Sequence, residues 1–297
     1  MKSKTLQTLF IFSLLTTSCS FNKIFLVPTK IPSKVKKVTL STPTDTTIVT
    51  FSGDVHQPNL TIKGKESIDL GYSIESVMFK STDGNQLNGW LLKPKNVTPT
   101  ITLLHLHGNG GSLLNQYQAI SPLLKKGFQV FTFDYSGFGF SEGEATRENV
   151  LSDALSALDY LKTREEAKNT KLVLYGQSYG GYLAAIVASQ REKDFDGLVI
   201  EGGFSSYKDV AAKRIPIIGR IITKQGYSAI TSIKYYHKPV LVIHSTEDEV
   251  IPFSLGKKIF DNANSPKEFY EIKNKHIYGP IFYTDEISTK IKNLIMK

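Results

Sequence analysis

The stretch Lys171-Leu-Val-Leu-Tyr175-Gly176-Gln177-Ser178-Tyr179-Gly180-Gly181 carries the strongest structural signal in the chain. Its first five residues read as a short buried strand, and Tyr182 to Gln190 read as a helix. Between them stands G-x-S-x-G. The glycines permit a turn too sharp for a Cβ, and such a turn lifts the Ser178 hydroxyl clear of a sheet. The helix start behind the serine favours developing negative charge. In this strand–turn–helix setting Ser178 reads as a nucleophile rather than as part of a plain tight turn.

Outward from this motif the chain alternates short apolar runs with helical patterns. Ser76–Lys80 and Gly89–Pro94 flank Asp83-Gly84, a hairpin-type signal. Ile101–Leu106, Gln129–Phe133, Gly197–Glu201, Val240–His244 and Glu268–Ile272 are further strand candidates. Asn149 to Leu161 is amphipathic at helical spacing. Continuous apolar strands separated by helices predict an α/β fold, a mostly parallel twisted sheet of about eight strands flanked by helices. No internal repeat is visible. In such sheets chemistry sits beyond the carboxyl ends of the strands.

The residues at those ends are chemically coherent. Ile101–Leu106 delivers His107-Gly-Asn109-Gly-Gly-Ser112, a loop whose backbone N–H groups can face a site unobstructed. The N–H groups of Asn109 and Tyr179 are the expected pair of oxyanion donors. A phosphate-binding glycine loop is the competing reading, but no P-loop Lys-Ser/Thr pair follows. Asp248 stands four residues past His244, and His276 four residues past Ile272. An imidazole at 276 can reach Ser178 while Asp248 fixes its tautomer. Glu201, ending another strand, is the alternative acid. His107 reads as a brace for its loop, and His56, His105, His237 and His244 fit a base role less well.

In this order His107-Gly-Asn-Gly-Gly111, Asp134-Tyr-Ser-Gly-Phe-Gly-Phe-Ser141, Gly176-x-Ser178-x-Gly180, His244-x-x-x-Asp248-x-x-Ile-Pro252 and His276 resemble the α/β-hydrolases with a serine nucleophile, over about residues 75 to 297. The chain is similar to the branch that includes lysophospholipase-like esterases and serine-peptidase-like hydrolases. Ser136 departs from an Arg common in relatives, and Ile-Tyr-Gly-Pro follows His276 where relatives carry a small residue. The resemblance implies transfer of an acyl group from a small-molecule ester or thioester to water, with no metal or organic cofactor. A peptidase on the same triad and a non-catalytic surface lipoprotein of this fold are the alternatives. Residues 204 to 238 are where such enzymes insert a cap. The apolar run Ile215–Ile222 there reads equally as a small lid over an acyl pocket or as core packing.

The chain has 297 residues, 40% of them hydrophobic, enough for a large core. Its one cysteine, Cys19, excludes an intrachain disulfide framework and a Cys-based zinc site. Lys2 and Lys4 precede the uncharged run Leu6–Leu15, which is too short to span a bilayer and suits a signal-peptide core. Leu15-Thr-Thr-Ser-Cys19 resembles a bacterial lipobox, although its leucine lies one place further from the cysteine than usual. Residues 1–18 therefore read as a signal peptide, Cys19 as a lipid-attachment site, and 65–297 as the catalytic domain. An ordinary cleavable signal or a buried helix are the competing readings. Residues 19–64, rich in Lys, Pro, Ser and Thr, read as an extended tether with one strand at Thr47–Phe51. The Ser after Cys19 points to outer-membrane sorting if the source is a Gram-negative bacterium. The formal net charge is +9, but residues 1–44 hold seven lysines and no acid, leaving +2 on the rest. Nucleic-acid binding loses its main support, and membrane association through the anchor is expected instead.

Overall fold

The structure is a computed structural model, and it describes residues 25–41, 46–63, 69–273 and 275–295. The signal peptide and Cys19 lie outside the described residues. The strands, in chain order, are β1 (Val27–Pro28), β2 (Lys37–Ser41), β3 (Thr46–Ser52), β4 (Gln57–Ile62), β5 (Tyr72–Lys80), β6 (Gln86–Pro94), β7 (Ile101–Leu106), β8 (Gly110–Gly111), β9 (Phe128–Phe133), β10 (Lys171–Gln177), β11 (Gly197–Glu201), β12 (Val240–Ser245) and β13 (Lys267–Ile272).

Among the described residues, eight strands form the central sheet in the order β13-β12-β11-β10-β7-β9-β6-β5. β7 and β9 to β13 run parallel, while β6 and β5 are antiparallel additions at one edge. Period-2 alternation sorts the strand side chains to two faces. Leu104, Leu174, Leu198 and Val242 pack on one face with the helices Arg147–Thr163, Tyr179–Gln190 and Phe253–Asn262. Leu103, Val173, Val199 and Leu241 pack on the other with Leu123, Leu124 and the helix Thr284–Ile295. Burial on both faces explains why these strands read as unbroken apolar runs.

The strand order reverses direction around β7, whose neighbours are β9 and β10. A crevice opens at such a point, between the loops that leave β7 and β10. These are the loops of His107–Ser112 and Ser178.

Residues 25–63 depart from the expected tether. β2, β3 and β4 make an antiparallel three-stranded sheet. Val49, Phe51 and Leu60 are buried with Trp90, Leu92 and Phe128, and Phe51 packs edge-on to Phe140 at 4.9 Å. Gln57 pins this sheet to β5, accepting the Ser76 N–H at 2.9 Å and donating to the Ile74 carbonyl at 2.8 Å. The Ser/Thr-rich composition concealed a strand alternation in which Thr50 and Ser52, outward, flank the buried Val49 and Phe51. The one expected strand is the middle of three.

Candidate active site

Ser178 follows β10 directly in a strained backbone conformation, φ 56 and ψ −116. For a residue with a Cβ this costs about 1–2 kcal/mol. Its surroundings hold it there: the Ser178 N–H donates to the Glu201 carbonyl at 2.8 Å, and the helix Tyr179–Gln190 begins at once. Gly180 allows the close approach, since a Cβ there would lie 1.9 Å from the Leu106 carbonyl oxygen.

The loops after β12 and β13 bring two more side chains to the serine. His276 Nε2 lies 2.7 Å from Ser178 Oγ, and His276 Nδ1 lies 2.7 Å from Asp248 Oδ2. The Asp248 side chain is almost wholly buried, and its Oδ1 accepts the N–H groups of Val250 and Ile251 at 2.9 and 2.8 Å. Burial pushes this carboxyl up. The hydrogen bond and charge of His276 and the Ile251 N–H outweigh that effect and hold the pKa below the ordinary value. An ionised Asp248 requires the proton on His276 Nδ1. That leaves the Nε2 lone pair facing Ser178, the arrangement in which an imidazole can take a hydroxyl proton.

The glycine loop lies against the serine: a Cβ on Gly108 would sit 3.7 Å from Ser178 Cβ. Its carbonyls are held one after another. His107 Nδ1 donates to the Gly108 carbonyl at 2.7 Å, Val27 N–H to Asn109 at 2.8 Å, Gln116 Nε2 to Gly110 at 2.7 Å and Thr29 N–H to Gly111 at 2.7 Å. In a trans peptide the N–H points opposite the C=O. Fixing the Gly108 carbonyl therefore fixes the Asn109 N–H. Neither that N–H nor the one of Tyr179 donates to another backbone group among the described residues. Burial drives His107 down to about 4, so its ring is neutral and serves as a brace.

Two contributors, β1 and His244, were not legible as functional in the sequence, and a third, Glu201, takes another role than the one expected. β1 is a parallel strand against β8, so the segment leading from the N-terminus clamps the glycine loop. His244 underlies the acid: its Nε2 donates to the Ile251 carbonyl at 2.9 Å and lies 3.4 Å from Asp248 Oδ2. Glu201, the alternative acid, is not within the Ser178–His276–Asp248 chain. It accepts Tyr175 OH at 2.9 Å, Gln177 Nε2 at 2.7 Å and the Gly279 N–H at 2.7 Å, tying the serine strand to the loop of His276. Burial raises its pKa despite those three donors. Its partners lie 24 and 78 positions away, a spacing with no local signature.

A cavity of about 560 Å³ lies behind Tyr179, walled by Leu26, Pro28, Leu151, Tyr182, Leu183 and Tyr227. Ile215–Ile222 takes neither of the roles expected for it. Ile217 and Ile221 are 76% and 75% exposed, turned away from both core and cavity. The short helix Ile218–Ile222 packs inward through Gly219, where a Cβ would meet the Ala211 carbonyl at 2.5 Å, so Ile218 and Ile221 face out.

Residues 101–217 match the family described as alpha/beta hydrolase fold. The chain is 37% identical to the uncharacterised protein YfhR of Salmonella typhi over 210 residues, 65% of this chain and 71% of that protein. It is 27% identical over 239 residues to the lysophosphatidylserine lipase ABHD12 of Xenopus tropicalis, covering 73% of this chain and 61% of that protein. Among solved structures, the esterase Pf2001 of Pyrococcus furiosus superposes with a TM-score of 0.62 at 18% identity, covering 77% of this chain and 93% of that one. This last likeness is one of fold.

Proposed function

Because the chain belongs to the α/β-hydrolase family, we propose that it is a serine hydrolase cleaving a carboxylic ester or thioester through an acyl-enzyme. The observation that carries this reading is the continuous Ser178–His276–Asp248 chain, 2.7 Å at each link. His276 Nε2 takes the Ser178 proton as Oγ attacks the carbonyl carbon. The N–H groups of Asn109 and Tyr179 receive the oxyanion, each contributing about 3–4 kcal/mol to the transition state. As the tetrahedral intermediate collapses, the bond to the leaving group breaks and His276 returns the proton to that group. Water, deprotonated by the same imidazole, then releases the acid and restores Ser178.

Residues 1–18 act in this proposal as a signal peptide and Cys19 as the lipid attachment that keeps the enzyme at a cell-envelope membrane. The similarity to the lysophosphatidylserine lipase ABHD12 supports the ester over the amide. A fluorophosphonate probe tests the core of the reading. It labels the wild-type protein, and Ser178→Ala loses both labelling and ester turnover. Undiminished labelling or turnover in that variant refutes the assignment. Retained labelling with turnover only of aminoacyl amides would favour a peptidase.

A further inference from the structure

The outward isoleucines of the cap have no partner among the described residues that would explain them. Ile218 and Ile221 are exposed on one short helix, Ile217 is exposed at its start, and Ile215 lies just before it. Ile217 also holds φ 64 and ψ −65, a positive-φ γ-turn conformation that is unfavourable for a β-branched side chain. Burial of that side chain does not offset the strain. Around this apolar knob Lys213, Arg220 and Lys224 are exposed.

Charge in this region is one-sided. Residues 204–238 contain seven Lys and Arg against a single acid, Asp209, an excess of six. Asp209 is buried and already engaged by Lys258 at 2.7 Å and Arg220 at 3.3 Å. The near-neutral balance of residues 45–297 thus conceals a strongly basic cap offset by acids elsewhere. Apolar side chains at the tip with a cationic collar are the composition of a surface that enters an anionic lipid interface.

The position of the N-terminal segment agrees with this orientation. Phe25 packs edge-on to Tyr207 at 4.4 Å, at the root of the cap, and Arg147 lies over the Tyr207 ring at 3.5 Å. Cys19 precedes Phe25 by six residues, a reach of at most about 20 Å. A lipid there could not hold the protein far from the cap. The cap also adjoins the site: Gly202, two residues before Phe204, lies against His276.

We propose that the cap, through Ile217, Ile218 and Ile221 and the cations around them, docks on an anionic lipid bilayer. This surface goes beyond the hydrolase reading and is separate from the Cys19 attachment. It turns the carboxyl edge of the sheet toward the interface, where an amphiphilic ester would be met.

Co-sedimentation of the mature chain, residues 19–297 with Cys19→Ser, tests it, with vesicles of phosphatidylcholine plus phosphatidylglycerol and vesicles of phosphatidylcholine alone. The protein partitions onto the anionic vesicles and is released as salt is raised. Adding Ile217→Asn and Ile221→Asn weakens that partition at least about tenfold, the effect of withdrawing one isoleucine side chain from an apolar phase. Both side chains are exposed and make no core contact, so the unfolding temperature and hydrolysis of a soluble short-chain ester stay unchanged. Lys213→Gln with Lys224→Gln reduces the preference for anionic over neutral vesicles. Unaltered partition of the isoleucine variant overturns the proposal. So does self-association of the parent chain that the same variant abolishes, which would assign the patch to a second copy. Vesicle binding is read without turnover, so failure of the Ser178 assignment leaves this result standing, and the reverse.

Discussion

Gly180→Ala is the substitution for which the structure allows the most definite expectation. A Cβ at this position would lie 1.9 Å from the Leu106 carbonyl oxygen, 2.5 Å from its carbon and 2.7 Å from the His107 oxygen. All three are backbone atoms, of a buried strand end and of the glycine loop, so none can swing aside. Relief requires the helix Tyr179–Gln190 and the β7 end to separate by at least about 1 Å. The two proposed oxyanion donors stand on opposite sides of that contact, Tyr179 on the helix and Asn109 on the loop. A misplacement of about 1 Å can cost about a hundredfold in rate, and loss of one donor about 10²–10³. We expect kcat to fall about a hundredfold or more, with KM much less affected, and stability to fall by about 1–3 kcal/mol from overpacking. Gly108→Ala is the control. Its Cβ would meet Gln116 Oε1 at 3.6 Å and Ser178 Cβ at 3.7 Å, ordinary contacts, so kcat should stay within a few-fold. Hydrolysis of a short-chain p-nitrophenyl ester, with active sites titrated by a fluorophosphonate, separates slow turnover from misfolding. Wild-type kcat in folded Gly180→Ala would refute the packing argument and with it the placement of the two donors.

Three further expectations follow from the same geometry. In Asp248→Asn the remaining oxygen is claimed by the Val250 and Ile251 N–H groups, so the amide NH₂ faces His276 Nδ1. The proton then moves to Nε2 and the ring can no longer accept from Ser178. kcat should drop about 10³–10⁴-fold, and a loss under tenfold would contradict the tautomer assignment. Thr29→Pro removes the N–H that holds the Gly111 carbonyl at 2.7 Å. Loss of about 1 kcal/mol of support should lower kcat several-fold with KM nearly constant, and unchanged kinetics would show β1 to be a bystander. Asp134, buried with its Oδ1 accepting the Leu113 N–H at 2.6 Å, has its carboxyl pushed by burial up to about 7. The native state therefore keeps a proton that the unfolded chain has released, from about pH 4 to about pH 7, and stability falls as pH rises through that window. Asp134→Asn abolishes this loss, so its deficit relative to wild type should shrink by about 3 kcal/mol between pH 5 and pH 8 in urea unfolding. Parallel stability curves would exclude the buried titration.

Much of the site was legible in the amino-acid sequence because its residues follow strands directly. A short apolar run and the two to four residues after it are local features. So Ser178, Asp248, His276 and the glycine loop could be placed at one edge of a parallel sheet. Their meeting at 2.7 Å is what a shared sheet edge makes possible. Glu201 could not be assigned that way. A carboxylate at a strand end looks the same whether it orients a histidine or braces two loops, and only its three donors distinguish them.

The sequence by itself determined the alternation of strands and helices, the order of the candidate catalytic residues and the identity of the loops that carry them. These properties depend on side-chain chemistry and spacing over a few residues. Tertiary structure alone decided the rest. Residues 25–31 reach the glycine loop about eighty positions away, and the three strands at 37–62 bury Val49, Phe51 and Leu60 under the main sheet. Such pairings are stabilised by partners that local composition does not reveal, so a Ser/Thr-rich segment passed for a tether. The isoleucines of the cap were ambiguous for the complementary reason. Apolarity says that a residue favours leaving water, but only the packing of Gly219 against Ala211 sets which way the helix turns them.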